Sequence, residues 1–277
     1  AATSVATSVI TMIFWSFGFL RMGTTGLVAQ SLGRGDYREV VNIFFRNISV
    51  ALIIGLLIIF SEKWIIILIV KYFTISPVTL SLVEKYISIR VLSAPAELAF
   101  YVLVGLFIGL QKTFISSFFV ASFCLINIIL SYYFVIYLGL EISGVALGTV
   151  LSSYLIVFIF LIFTYFNIKK NFNIIPRYRK ILIAKKLIKL FNINFDIFLR
   201  TLLLTFSFLW ITYLSSKLGE NYLAVNTILL QFVMIASFFL DAYAYSTESV
   251  VGFALGRGSL KSFMSSVSSS FDLSFFT

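Results

Sequence analysis

Apolar positions along this chain fall in long unbroken blocks, and polar or basic residues gather in the short stretches between them. The blocks lie at about 5–32, 46–70, 84–110, 113–137, 142–166, 196–217 and 221–254. Each is long enough for a helix crossing a hydrocarbon core of about 30 Å, which takes about 20 residues. Strands are excluded: no ten-residue segments alternate apolar and polar, and a backbone in lipid must satisfy its hydrogen bonds within the segment or in a closed barrel. The pattern predicts an all-α polytopic membrane protein with about seven spans present.

Composition sharpens this picture. Of 277 residues 60% are hydrophobic and 12% charged, with mean hydropathy +1.05, whereas a soluble chain has roughly half and a quarter. The net charge of +10 would suit a nucleic-acid partner, but most basic residues sit in loops between spans, so the expected partner is the bilayer and not nucleic acid. Histidine is absent and Cys124 is the single cysteine. That removes the commonest general base, an intramolecular disulfide and most zinc or haem-type sites. There is no Gly-Lys-Ser/Thr phosphate loop, so ATP is not the energy source of this chain itself; neither a metal nor another cofactor is expected.

The stretch 167–196 sets orientation. It holds Lys169, Lys170, Arg177, Arg179, Lys180, Lys185, Lys186 and Lys189 with no acidic residue before Asp196. By the positive-inside rule the 169–189 loop is cytoplasmic. Within "RKILIAKKLIKLF", Ile181, Ala184, Ile188 and Phe191 fall near one helical face flanked by lysines, which predicts an interfacial helix on the inner leaflet. Counting outwards, the turns at Arg34, Arg38 and Arg46 and at Arg257 and Lys261 lie inside, and residue 1 lies outside. The chain opens on Ala1 without a basic n-region, so an outside start is expected to follow a missing upstream span.

"LGRG" occurs twice, at Leu32–Gly35 and Leu255–Gly258, a shift of 223 positions. The same shift aligns Arg21–Asp36 with Ala244–Ser259, matching Thr24 to Thr247 and placing small residues opposite one another at Gly23/Ser246, Gly26/Ser249 and Ala29/Gly252. Glycines at Gly33, Gly35, Gly256 and Gly258 suit a left-handed helix exit, and Arg34 and Arg257 suit lipid head groups. An even number of spans separates the copies, so the repeats are parallel, which is a transporter architecture with the substrate path between halves. The repeat predicts part of a twelve-helix transporter made of two parallel six-helix lobes: 1–168 as the N-terminal lobe (spans two to six), 169–195 as the basic linker, and 196–277 as the start of the C-terminal lobe (spans seven and eight). The tail "SVSSSFDLSFFT" departs from a clean span and reads as a truncated end.

"FLRMGTTGLVAQSLGRGDYREV", "RVLSAPAELAFYVLVGLFIGLQKT" and "GENYLAVNTILLQFVMIASFFLDAYAYSTESVVGFALGRG" resemble the MATE (multidrug and toxic compound extrusion) family, specifically its DinF-like branch, nearly end to end. The resemblance implies two six-helix lobes around a central cavity, no enzymatic activity, and export of small organic, often cationic, compounds in exchange for H⁺ or Na⁺. It implies the plasma membrane, in a bacterium the inner membrane, and a monomer is expected.

Ionisable residues in a bilayer are costly and by default mark function. Asp241 lies near the middle of the last span and Glu248 two turns further in, on one face with Tyr245 between them. A carboxylate facing a cavity can hold Na⁺ or take a proton, and a tyrosine ring can stack on a drug or attract a cation. Asn226 and Gln231 on the same span read either as cavity hydrogen-bonders or as interhelical contacts. Glu97 follows Pro95, which should kink its helix; Glu97 either lines the cavity or pairs with Arg21, the pair being favoured. The DinF-like resemblance places an ion-coupling asparagine at Asn127 and an aspartate four residues later. Here that position is Ser131, which cannot titrate, so coupling leans on Asp241 and Glu248 or on the span that precedes this chain.

Two rivals differ in chemistry. A lipid-linked saccharide flippase of the same superfamily would want basic residues in the cavity, and Arg21 is the one hint of that. A membrane enzyme would want a carboxylate cluster or histidine near an interface, and neither is present.

Overall fold

The computed structural model describes residues 2–72, 77–172 and 184–275. Among them the chain is helical: α1 (Ala2–Ser16), α2 (Phe19–Gly33), α3 (Tyr37–Phe60), α4 (Glu62–Tyr72), α5 (Pro77–Arg90), a 3₁₀ turn (Val91–Ser93), α6 (Ala94–Gly109), α7 (Thr113–Tyr132) closing in a π turn (Tyr133–Tyr137), α8 (Glu141–Phe172), α9 (Ala184–Leu218), α10 (Glu220–Gly256) and α11 (Leu260–Phe275). Five stretches of the described residues are long and apolar enough to cross a membrane by length and composition: Tyr37–Phe60, Leu80–Gly109, Thr113–Tyr137, Glu141–Lys170 and Ile228–Gly256.

Span limits differ from expectation where local chemistry intervenes. The block at 5–32 is two helices, because around Gly18 the bonds tighten to i→i+3, with Gly18 N–H donating to Trp15 O at 2.9 Å and Arg21 N–H to Gly18 O at 3.1 Å. The block at 46–70 is also divided. α3 starts at Tyr37, where the Asp36 carboxylate accepts the Glu39 N–H at 3.0 Å, as an N-cap does; it ends at Ser61, whose hydroxyl donates to Ile58 O at 2.8 Å. Arg46 therefore lies inside α3, buried and 3.6 Å from Glu39, rather than in a loop. In the third span Pro95 has no N–H to give, and the turn before it tightens to 3₁₀ geometry.

The basic segment does not form a helix of its own in the described residues. Ala184, Ile188 and Phe191 belong to the first turns of α9, which runs unbroken to Leu218; with strong helix formers and no glycine or proline at its junction with the apolar span, nothing interrupts it. Ile181 lies outside the described residues.

Apart from Glu97 and Tyr101, α6 is apolar and buried along its length, the expected state of a central helix. Phe119 of α7 and Phe160 of α8 stack with ring centroids 3.8 Å apart, and Phe107 of α6 lies 5.2 Å from Phe160, so three helices share one aromatic core. α2 packs on α6, α3 and α10. Its Thr25 hydroxyl donates to Gly105 O of α6 at 3.2 Å, and its Thr24 hydroxyl accepts from Asn47 Nδ2 of α3 at 2.8 Å. Thus α2 is held by the first half on two sides and offers its third side to α10.

Candidate functional site at the contact of α2 and α10

The two copies of the repeat pack against each other. A Cβ placed on Gly33 would stand 2.1 Å from Phe253 O, and one placed on Gly256 would stand 2.2 Å from Gln30 O. These contacts are equivalent, since 223 positions separate Gly33 from Gly256 and Gln30 from Phe253. The exits match as well. Arg34 N–H donates to Gln30 O and Arg257 N–H to Phe253 O, both at 3.1 Å. Gly35 and Gly258 take φ +73° and +68°, the left-handed turn that glycine allows. Asp36 caps α3 through Glu39 N–H, and Ser259 caps α11 through Ser262 N–H at 3.2 Å. α11 is therefore the counterpart of the start of α3, which is more regular than the tail's composition predicts. Arg34 and Arg257 are both exposed at this end.

Above the glycines the same helix face carries the acidic row. Tyr245 hydroxyl donates to Asp241 Oδ2 at 3.3 Å. The Arg21 guanidinium of α2 lies over the Tyr245 ring, 3.6 Å from its centroid. Glu248 is half-buried, with Oε1 3.5 Å from where a Cβ on Gly26 would stand; the charges facing it are Arg21 and Arg200. Next to it, Ser249 Oγ donates to Ile108 O of α6 at 2.7 Å, which fixes the rotation of α10 at this level. Arg200 reaches from α9, its Nη2 3.8 Å from Met22 Sδ. Tyr245 and Glu248 thus face Arg21 across the contact of α2 and α10, with Asp241 exposed beside Tyr245 and Arg200 facing Glu248, and among the described residues neither arginine has a carboxylate within 4.0 Å.

The other candidates separate from this row. Asn127 Nδ2 donates to Ser152 Oγ of α8 at 3.2 Å. Ser131 Oγ is buried without a hydrogen-bond partner, pressed against Gly148 of α8. Both face α8 within the first half. Asn226 is an interhelical contact, donating to the buried Ser215 Oγ of α9 at 2.6 Å; Gln231 is exposed. The favoured Arg21–Glu97 pair is corrected. Glu97 pairs with Arg90, with the Ser93 hydroxyl donating to the same carboxylate oxygen at 3.1 Å. Arg90 and Glu97 are two turns apart on one face across the 3₁₀ turn, so the local partner is satisfied first.

Sequence reasoning missed Arg200 and Tyr101. Arg200 was visible as an arginine within an apolar span. Tyr101, on α6 within electrostatic reach of Glu97, Arg21, Arg90 and Tyr245, carries no distinguishing pattern. Among the described residues no group of three or more histidine, cysteine or acidic side chains is placed to hold a metal.

The MatE family model matches residues 1–133 and 196–277. The chain belongs to the MatE family. It is 32% identical over 253 residues to the DNA damage-inducible protein F of Escherichia coli (strain K12), covering 91% of this chain and 55% of that relative, in keeping with the DinF-like branch. Its fold matches an outward-facing multidrug resistance MATE family transporter of the MOP superfamily with TM-score 0.86 and 19% identity, over 96% of this chain and 59% of that one. It also matches a MOP superfamily transporter from Pyrococcus furiosus, described as having a binding pocket of reverse polarity that suggests a different function, with TM-score 0.83 and 17% identity over 96% and 59%. The chain spans little more than half of the relatives' length. The fold is that of an integral membrane transporter, matching part of a two-lobe, twelve-helix architecture.

Proposed function

We propose that this chain forms the lobe interface of a secondary antiporter that exports small organic, often cationic, compounds in exchange for H⁺ or Na⁺. Residues 1–168 belong to one lobe and 196–277 to the other, with the basic 169–189 segment on the cytoplasmic side of a bacterial inner membrane, in a monomer. The observation that carries this reading is the row Asp241–Tyr245–Glu248 of α10 facing α2 between the lobes. A carboxylate there can exchange a proton or Na⁺ for substrate, which is the chemistry coupling requires. Alternating access is the rocking of one lobe on the other about such a site. The reciprocal glycine contact below the row is then the cytoplasmic gate, drawn closed. Asn127 and Ser131 supply polarity within the first lobe but no titrating group, so the coupling carboxylates that this chain itself offers are Asp241 and Glu248.

One observation favours a second reading, a lipid-linked saccharide flippase: Arg21 and Arg200 both face the row, as an anionic head group would want. The test is dye efflux by the full-length protein in a pump-deficient strain, under a proton and then a sodium gradient. Export under either gradient supports the antiporter. No export of organic cations under both would overturn it and leave the flippase reading in the lead.

A further inference from the structure

We propose that Arg21 is a resident cation: its guanidinium holds the face of Tyr245 that an organic cation would take, and a cationic substrate binds by displacing it. The inference rests on the export reading and names how the site receives its substrate.

An arginine within a membrane span is costly and persists where something compensates it. Arg21 has no carboxylate within 4.0 Å among the described residues; what it touches is the ring of Tyr245, 3.6 Å from its centroid. A guanidinium lies flat on a ring and is weakly hydrated, which makes it the natural tenant of such a face. Its hydroxyl donates to Asp241 Oδ2 at 3.3 Å, which holds the ring in place beneath the guanidinium. Glu248, three residues on, faces the same arginine and Arg200. One half-buried carboxylate therefore faces two guanidiniums, and an added cation meets net attraction only where a resident one leaves.

The exchange also has a mechanical side. Arg21 stands on α2 and Tyr245 on α10, so their contact ties the two lobes above the glycine crossing. A substrate cation that takes the ring face cuts that tie without bringing a new one from α2. Substrate entry then loosens the contact that must open for the lobes to rock.

The test is equilibrium binding of tetraphenylphosphonium to the full-length protein in lipid nanodiscs, for wild type, Arg21→Gln and Tyr245→Leu, with dye efflux by the wild type measured alongside. Arg21→Gln should bind about tenfold more tightly, as expected when a cation–π competitor and its charge are removed. Tyr245→Leu, which removes the ring for both cations, should bind about tenfold more weakly than wild type. An Arg21→Gln protein that binds no more tightly than wild type overturns the inference, and so does a Tyr245→Leu protein with wild-type affinity, which decides the matter if Arg21→Gln does not fold. If the wild type exports dye while either of those results is found, the inference falls and the export reading stands. If the wild type neither exports nor binds under either ion gradient, both fall.

Discussion

Gly33 and Gly256 occupy equivalent places on two copies of one helix end, and each lies against the backbone of the other copy, at the carbonyls of Phe253 and Gln30. A single crossing thus satisfies both halves at once. The separation of 223 positions recurs in the glycines, the carbonyls they meet, the left-handed residues after them and the caps of the next helices. A duplicated bundle whose halves meet on an axis along the membrane normal has this property.

The crossing leaves no room for a side chain. Gly33→Ala or Gly256→Ala sets a methyl carbon on a main-chain oxygen, which no rotamer relieves, so α2 and α10 must separate. Overpacking of this kind costs about 1–3 kcal/mol, and each variant should unfold at a lower temperature than the wild type in detergent. Gly35→Ala, at a positive φ with nothing within 4 Å, should cost less and act through backbone strain alone.

One turn away, a Cβ on Gly252 would lie 3.0 Å from the Ala29 Cβ. A disulfide needs its Cβ atoms about 3.5–4.5 Å apart. Ala29→Cys with Gly252→Cys, in a Cys124→Ser background, should cross-link readily under mild oxidation once the helices ease apart by a fraction of an ångström. Cross-linked protein should stop transporting and regain transport on reduction. Full transport by the oxidised form would mean that this contact does not open during the cycle.

Polar groups away from the row should separate stability from transport. Asn226→Ala leaves Ser215 of α9 without its partner at a cost of about 0.6 kcal/mol, the mean for interhelical bonds in a membrane protein; thermal stability should fall slightly while efflux per folded molecule is unchanged. Ser131→Ala deletes a buried hydroxyl that makes no hydrogen bond, so it should be neutral or mildly stabilising. Efflux assays on both variants, normalised to folded protein, check this.

What was legible in the chain follows the range of the forces involved. The spans are long-range averages of hydropathy: five of the seven have a counterpart long and apolar enough to cross a membrane among the described residues, while the blocks at 5–32, divided at Gly18, and 196–217 have none. The repeat was legible because glycine, arginine and small residues are demanded by position in both copies. Pairings were not. Glu97 was expected to face Arg21, and its pairing with Arg90 depended on a 3₁₀ turn that brings Ser93 into the same cluster. Asn226 could not be assigned to cavity or contact until α9 and α10 were placed, and Arg200 gained meaning only when α9 set it beside Met22. Asp241, Tyr245 and Glu248 were legible because helical spacing alone puts them on one face, and the charge of two of them has no reason to be there unless that face is wet or paired.

Transport by the full-length protein carrying Asp241→Asn, compared with wild type and Asn226→Ala in the same strain and at matched levels in the membrane, tests the central claim most directly. The account predicts that Asp241→Asn loses most of its dye efflux, tenfold or more on the order of a lost coupling group, while Asn226→Ala keeps it. Wild-type efflux from Asp241→Asn would contradict the assignment of this row as the coupling site.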